Sequence, residues 1–436
     1  MKKKYRIILY TSIFLLCVVA SIILVVKKSN SVYEEESKPK VVKHKNMLSM
    51  NLEQTAGSGD YKTVTQSSWP TEGYKFNAEL SKCENGSTLS WDDTKKAVIM
   101  QGNVSDKCYV YFDIWIPSIA DYCTSGTDLA TCVKNFGDQG PSVSNIYIHN
   151  SSLTNGAGDN SYRYAGANPN NFVCFGSDAS PCPIDNLYRI IGVFGENYYG
   201  ANGKQLVKLI KYDYMTTDEL GTDGDYSQTY KEWGMDSTYK GTYGDGERIG
   251  VYFWNNDAGT NTWSTSLLNK TNLNTNFINY LGTTWANKIA SVTWKVGGNT
   301  WANIGTKTSS VAYTNEITNP VTTNTTDNAT TYSAKIGLMY VSDYGFAASP
   351  DAWTLTMSSY NNTTATNNNW MYMGLFEWTI SRNADFSDNA FCVYGGGYVN
   401  YLSVSSDNGV RASFNLESSV SYVSGSGSMS DPIVIN

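Results

Sequence analysis

The chain has 436 residues, room for one large and one small domain, of which 41% are hydrophobic and only 16% charged. Its net charge is −7, yet the first 28 residues hold Lys2, Lys3, Lys4, Arg6, Lys27 and Lys28 and no acid, so the rest is more acidic than that figure suggests. An acidic body without a basic stripe argues against nucleic acid as a partner, and two histidines, His44 and His149, leave little for a Ser-His-Asp or Cys-His hydrolase or a multi-His metal centre.

With so few charges, the surface must be covered by Asn, Ser, Thr, Gly and the 32 Tyr. That composition is expected of β-rich secreted or surface proteins with long loops. Ile7–Val26 is an apolar run of 20 residues, long enough to cross a bilayer as a helix. More positive charge precedes it than follows it, and no small-residue cleavage pattern closes it. The expectation is an uncleaved signal anchor in the cell membrane, single-pass, with the N-terminus inside and the ectodomain outside.

Residues 29–72 are polar and mixed in charge, and are expected to form a flexible tether; a short helix around Met47 to Leu52 is the alternative. Residues 73–116 alternate apolar and polar positions in Tyr74–Phe76, Thr88–Trp91, Ala97–Met100 and Cys108–Ile114, with turn-forming pairs between them. This predicts a small antiparallel β module closed by Cys83 and Cys108, a bridge contributing about 3 kcal/mol. Cys123 with Cys132 and Cys174 with Cys182 complete a disulfide framework suited to an oxidising exterior, and Cys392 is left over as a buried small hydrophobe. The spacings are not those of zinc pairs.

Residues 117–144 carry helical spacing at Asp128–Lys134 and predict a connecting helix. Leu187–Phe194 and Gln205–Tyr212 then predict a hairpin of buried strands. Thr308–Thr331, dominated by Thr and Asn, is expected to be a surface insertion with little fixed structure.

The hairpin, Tyr252-Phe-Trp254, Trp263-Ser-Thr-Ser-Leu-Leu-Asn269 and Asn274-Thr-Asn-Phe-Ile-Asn-Tyr280 precede a closing series of Trp378, Ala390, Val393, Gly397, Val399, Gly409, Val410 and Arg411. As an ordered set they resemble a bacterial surface-protein domain family of unknown function, with Ala412 where that pattern usually has Pro. The resemblance implies a C-type-lectin-like fold of the formylglycine-generating-enzyme branch, as in the variable proteins of diversity-generating retroelements, over residues 145–436. The expected fold class is therefore α+β: a C-type-lectin-like ectodomain, the small antiparallel β module and one N-terminal transmembrane helix. Only Cys392 is present where the enzymatic branch needs a reactive cysteine pair.

Between Trp378 and Arg411 small and apolar residues alternate with polar and aromatic ones. Trp378, Gly397, Gly409 and Arg411 are expected to hold the fold. Asn383, Asp385, Tyr394, Tyr398, Tyr401, Ser403, Ser405 and Asp407 are expected to face a ligand, because Tyr offers large amphipathic contact area with few rotatable bonds while Ser, Asn and Gly supply adaptable hydrogen bonds. Three other features have bland alternatives. Trp254-Asn-Asn-Asp257 lacks the companion tripeptide of a lectin calcium site, Gly221–Asp225 lacks the full calcium-loop ladder, and Glu377, Asp385 and Asp388 are carboxylates without a fixed pairing. No cofactor, metal or catalytic residue is assigned. The expected function is a membrane-anchored extracellular binding protein, adhesin- or receptor-like, for a protein or glycan; the alternative is an enzyme acting on cell-wall or surface polymers.

Overall fold

The computed structural model describes residues 48–436 except 66–67, 71, 104, 196–197, 199–202, 234–237, 245, 321–328 and 361–362. It divides into two compact units, one ending at Ile116 and one running from Pro117 to Asn436. The expected membrane span at Ile7–Val26 lies outside the described residues, and no described helix is long and apolar enough to cross a membrane.

The first unit contains β1 (Leu48–Glu53), β2 (Tyr61–Val64), β3 (Tyr74–Cys83), β4 (Thr88–Asp92), β5 (Ala97–Gln101) and β6 (Cys108–Ile114). Four of them form a sheet in the order β2-β1-β6-β3, and β4 pairs with β5 as a separate hairpin. The module is not purely antiparallel, because β1 runs parallel to β6 with Leu48 opposite Cys108. β1 and β2 also occupy a stretch expected to be tether. Met50 and Leu52 alternate inward and pack with Val110 and Phe112, while the Glu53 carboxylate accepts the Ile114 N–H at 2.9 Å. A period-two pattern this short is masked by its polar neighbours. Phe112 centres the small core, with the Trp69, Phe76 and Trp91 rings 5.6–5.9 Å away. Cys83 and Cys108 are bonded across β3 and β6.

In the second unit a seven-stranded sheet is built from β7 (Ile146–Ile148), β8 (Tyr162–Tyr164), β9 (Phe172–Cys174), β10 (Leu187–Phe194), β11 (Leu206–Lys211), β16 (Ile336–Gly337) and β21 (Ser413–Asn415). β10 and β11 lie at its centre and every residue in both is buried, which explains their near-continuous apolar runs. A six-stranded sheet runs β12 (Tyr226–Thr229), β13 (Gly250–Phe253), β20 (Asp407–Gly409), β17 (Glu377–Arg382), β18 (Asn389–Val393) and β19 (Val399–Ser403). Two short ribbons complete the set, β14 (Val292–Lys295) with β15 (Thr331–Ala334) and β22 (Tyr422–Ser424) with β23 (Val434–Ile435).

The helix Leu129–Gly137 starts where the Asp128 carboxylate accepts the Thr131 N–H at 2.8 Å, and it buries Leu129, Val133 and Phe136 in the main core. It belongs to the second unit. The Cys123–Cys132 and Cys174–Cys182 bonds form in the same unit, and Cys392 is free and buried. Thr308–Thr331 contains ordered turns: helical Ser309–Tyr313 and Thr314–Thr318 place Tyr313, Glu316 and Ile317 in the interior. Their apolar spacing was hidden by the surrounding Thr and Asn.

The α+β, C-type-lectin-like expectation is corrected: the described chain is mostly β-sheet, with few and short helices. Even the helical stretch from Leu268 to Ala286 is broken at Gly282, whose φ is 71°. Asn, Thr and Gly are poor helix formers, while the β-branched and aromatic residues fit a pleated, half-buried surface.

Candidate functional site

The C-terminal stretch is mounted on a buried, cross-braced frame. Trp378 on β17 and Trp254, just after β13, are both fully buried. The Trp378 indole N–H donates to the Tyr252 carbonyl at 2.8 Å and that of Trp254 to the Thr379 carbonyl at 2.9 Å. Arg411 is also buried; its Nε donates to the Glu377 carboxylate at 2.8 Å and its Nη2 to the Met371 carbonyl at 2.6 Å. Burial pushes the Glu377 carboxyl up, and Arg411 pulls it back. Gly397 has φ +89°, and a Cβ there would lie 2.2 Å from Thr366 Cγ2; at Gly409 it would lie 2.7 Å from the Tyr214 ring. Both positions require glycine.

On this frame β18 and β19 form a hairpin in which Phe391 faces Tyr401 and Asn389 faces Ser403. Its tight turn is closed by the Tyr394 N–H to the Tyr398 carbonyl at 2.9 Å. There the half-buried rings of Tyr394 and Tyr398 lie 4.8 Å apart, with Phe376 4.6 Å from Tyr394, and burial raises the Tyr394 hydroxyl to about 12. At the other end Tyr401 meets Trp301 edge-on at 5.6 Å and Phe386 at 5.8 Å. Phe386 is 48% exposed, and the exposed Asp385 carboxylate accepts the Trp301 backbone N–H at 2.9 Å. Ser403 ends β19 opposite Asn389, and the exposed Ser405 lies in the turn that follows.

One of the expected ligand-facing residues is corrected. Asn383 is fully buried, its carbonyl held by the Asn261 amide and its side chain by the Asp385 N–H at 2.8 Å. Asp407 is half-buried, and its Oδ2 accepts from Ser227 at 2.7 Å and Gln228 at 3.2 Å. Trp301, Phe376 and Phe386 are the partners that sequence reasoning missed. Trp301 is 84 residues from Asp385, and no local pattern links the two.

The remaining sequence features are structural. In the Gly221–Asp225 loop, Asp225 accepts the N–H groups of Asn256 and Leu268 at 3.0 and 2.9 Å, and Asp223 accepts from Asn276. These oxygens face donors, and no cluster of three metal-ligating side chains occurs among the described residues. Ser266 and Asn269 brace the carbonyls of Trp254 and Trp263 at 2.6 and 2.9 Å. Glu377 is sealed against Arg411, while Asp385 and Asp388 are exposed. Deeper in the core, Lys208 contacts the Asp343 carboxylate at 2.6 Å, and burial raises Glu316 to about 7.

A cleft of 280 Å³ was not anticipated. At its floor the Arg189 guanidinium lies 4.4 Å from the Phe172 ring and 4.6 Å from the Trp370 ring. It donates to Asn171 Oδ1 at 2.7 Å and to the carbonyls of Pro169 and Trp370 at 2.9 and 3.3 Å. At the mouth, the exposed Lys240 ammonium stands 4.6 Å over the Tyr372 ring. The Tyr372 hydroxyl donates to the Gly395 carbonyl, which joins the cleft to the hairpin turn. Compared with known proteins, the chain matches no family model, no curated protein and no solved structure.

Proposed function

We propose that this chain is a cell-surface binding protein, held at the membrane by Ile7–Val26 with its N-terminus inside, which engages an extracellular protein or glycan through the β18–β19 hairpin. The observation that carries this reading is the pair of partly exposed aromatic clusters at the hairpin's two ends. One contains Tyr394 and Tyr398 and the other Tyr401, Trp301 and Phe386. Aromatic anchors of this kind dominate recognition surfaces, and a rigid frame lowers the entropy lost on binding. The three disulfides suit an oxidising exterior.

The test is to array the full-length chain, solubilised in detergent, against glycans and surface proteins. The expected result is saturable binding that is lost when Tyr394→Ala, Tyr398→Ala and Tyr401→Ala are combined in a variant whose unfolding curve is unchanged. Binding that survives the triple substitution would sink the reading.

A further inference from the structure

We propose that the cleft between Arg189 and Lys240 is a second binding site, and that it takes a carboxylate-bearing sugar unit. Arg189 is 4% exposed, and no carboxylate pairs with it among the described residues. A buried cation without a counter-charge costs stability unless other groups compensate. Here the compensation is neutral: the Phe172 and Trp370 faces and three oxygen acceptors. Burial holds the Arg189 guanidinium below the ordinary arginine value, and Arg411 adds to the effect through its like charge. Lys240 is likewise lowered by its partial burial, and its Nζ donates to the Thr366 carbonyl at 3.3 Å. Two cations thus face one cleft, each resting on aromatic rings.

The rest of the lining points to a sugar rather than a bare anion. Asn168, Asn170 and Asn367 are exposed amides along the rim, able both to donate to and accept from hydroxyls. Tyr212 and Met429 add apolar surface for a ring face. At 280 Å³ the cleft is at the lower edge of the usual range of about 300–1,000 Å³, which suits one sugar unit. A carboxylate on that unit would bridge the two cations, as charge-assisted hydrogen bonds do most strongly.

The site is independent of the hairpin reading, and its test uses different residues and probes. Glucuronate, glucose and acetate are titrated by calorimetry into the full-length chain, into Lys240→Glu and into the triple tyrosine variant. Lys240 is exposed, so its substitution should leave the fold intact where Arg189→Ala could unfold it. The expected result is saturable glucuronate binding, about tenfold or more tighter than glucose or acetate. Lys240→Glu should weaken it by about tenfold or more, and the triple tyrosine variant should leave it unchanged. Glucuronate bound no better than glucose, or binding indifferent to Lys240→Glu, would show that Arg189 is only a structural staple and overturn the proposal. Equal affinity for acetate would overturn it too, by revealing a bare anion site.

Discussion

The hairpin and the cleft are linked by the hydrogen bond from Tyr372 to Gly395, yet they present different chemistry. The hairpin presents neutral tyrosines and serines on a frame in which Arg411 is matched by Glu377 and Arg382 is held by the Val296 and Gly297 carbonyls. The cleft keeps its cations unmatched and leans them on aromatic faces. A neutral aromatic surface can be re-surfaced residue by residue at little cost to the fold. An unmatched buried cation ties recognition to the core, so that changing it changes both.

Substitutions can break or sharpen this contrast. The largest effect is expected from Arg411→Ala, which strands Glu377 in the interior and frees the Met371 carbonyl beside Trp370. Loss of one partner of such a pair costs about 3–5 kcal/mol. Chemical denaturation should show that fall, with both regions disturbed together. Gly397→Ala strikes the hairpin turn alone, where φ is +89° and Thr366 blocks the added Cβ. A cost of about 1–3 kcal/mol is expected from the denaturation midpoint, with the Tyr401 cluster spared in an aromatic-side-chain NMR spectrum.

A pH titration of stability separates both surfaces from the core. His149 meets Phe346 edge-on and Trp353 at a tilt, and its Nδ1 accepts the Ala157 N–H at 3.0 Å. Burial, then the Arg163 charge, hold its pKa well below 6.5. The unfolded chain therefore binds the extra proton first, and stability present above pH 6.5 falls as the pH drops below it. By pH 5.5 the loss should reach about 1.4 kcal/mol. Glu316 works the other way: its carboxyl is raised from 4.5 to about 7, so its contribution is complete below 4.5 and is lost as the pH rises through 7. Comparing wild type with His149→Phe between pH 7.5 and 5.5 isolates the first effect, and an unchanged slope would contradict it. The smallest effect is expected from Tyr372→Phe, which removes the hydroxyl that donates to the Gly395 carbonyl; a loss of about 1 kcal/mol is expected in thermal or chemical unfolding.

What the sequence made legible follows the same division. The hairpin's residues lie within one stretch of chain, so composition alone could single out Tyr394, Tyr398 and Tyr401 as candidates. The disulfides were legible from spacing, and β10 and β11 from their continuous apolar runs. Asn383 was misplaced because burial of a polar residue depends on partners elsewhere, here Asn261. The cleft brings together Arg189, Lys240 and Trp370, and Arg189 and Trp370 touch across a separation of 181 residues. No periodicity encodes such a meeting. β1 and β2 were lost for another reason, since their alternating cores are too short to stand out against Glu, Gln and Ser.

The most direct test of hairpin recognition is a side-by-side titration of the surface ligand found by arraying, against wild type, the triple Tyr394, Tyr398 and Tyr401 alanine variant, and Lys240→Glu. The prediction is that the tyrosine variant loses about a hundredfold or more in affinity, while Lys240→Glu binds as wild type does. Equal affinity of the tyrosine variant and wild type would contradict it.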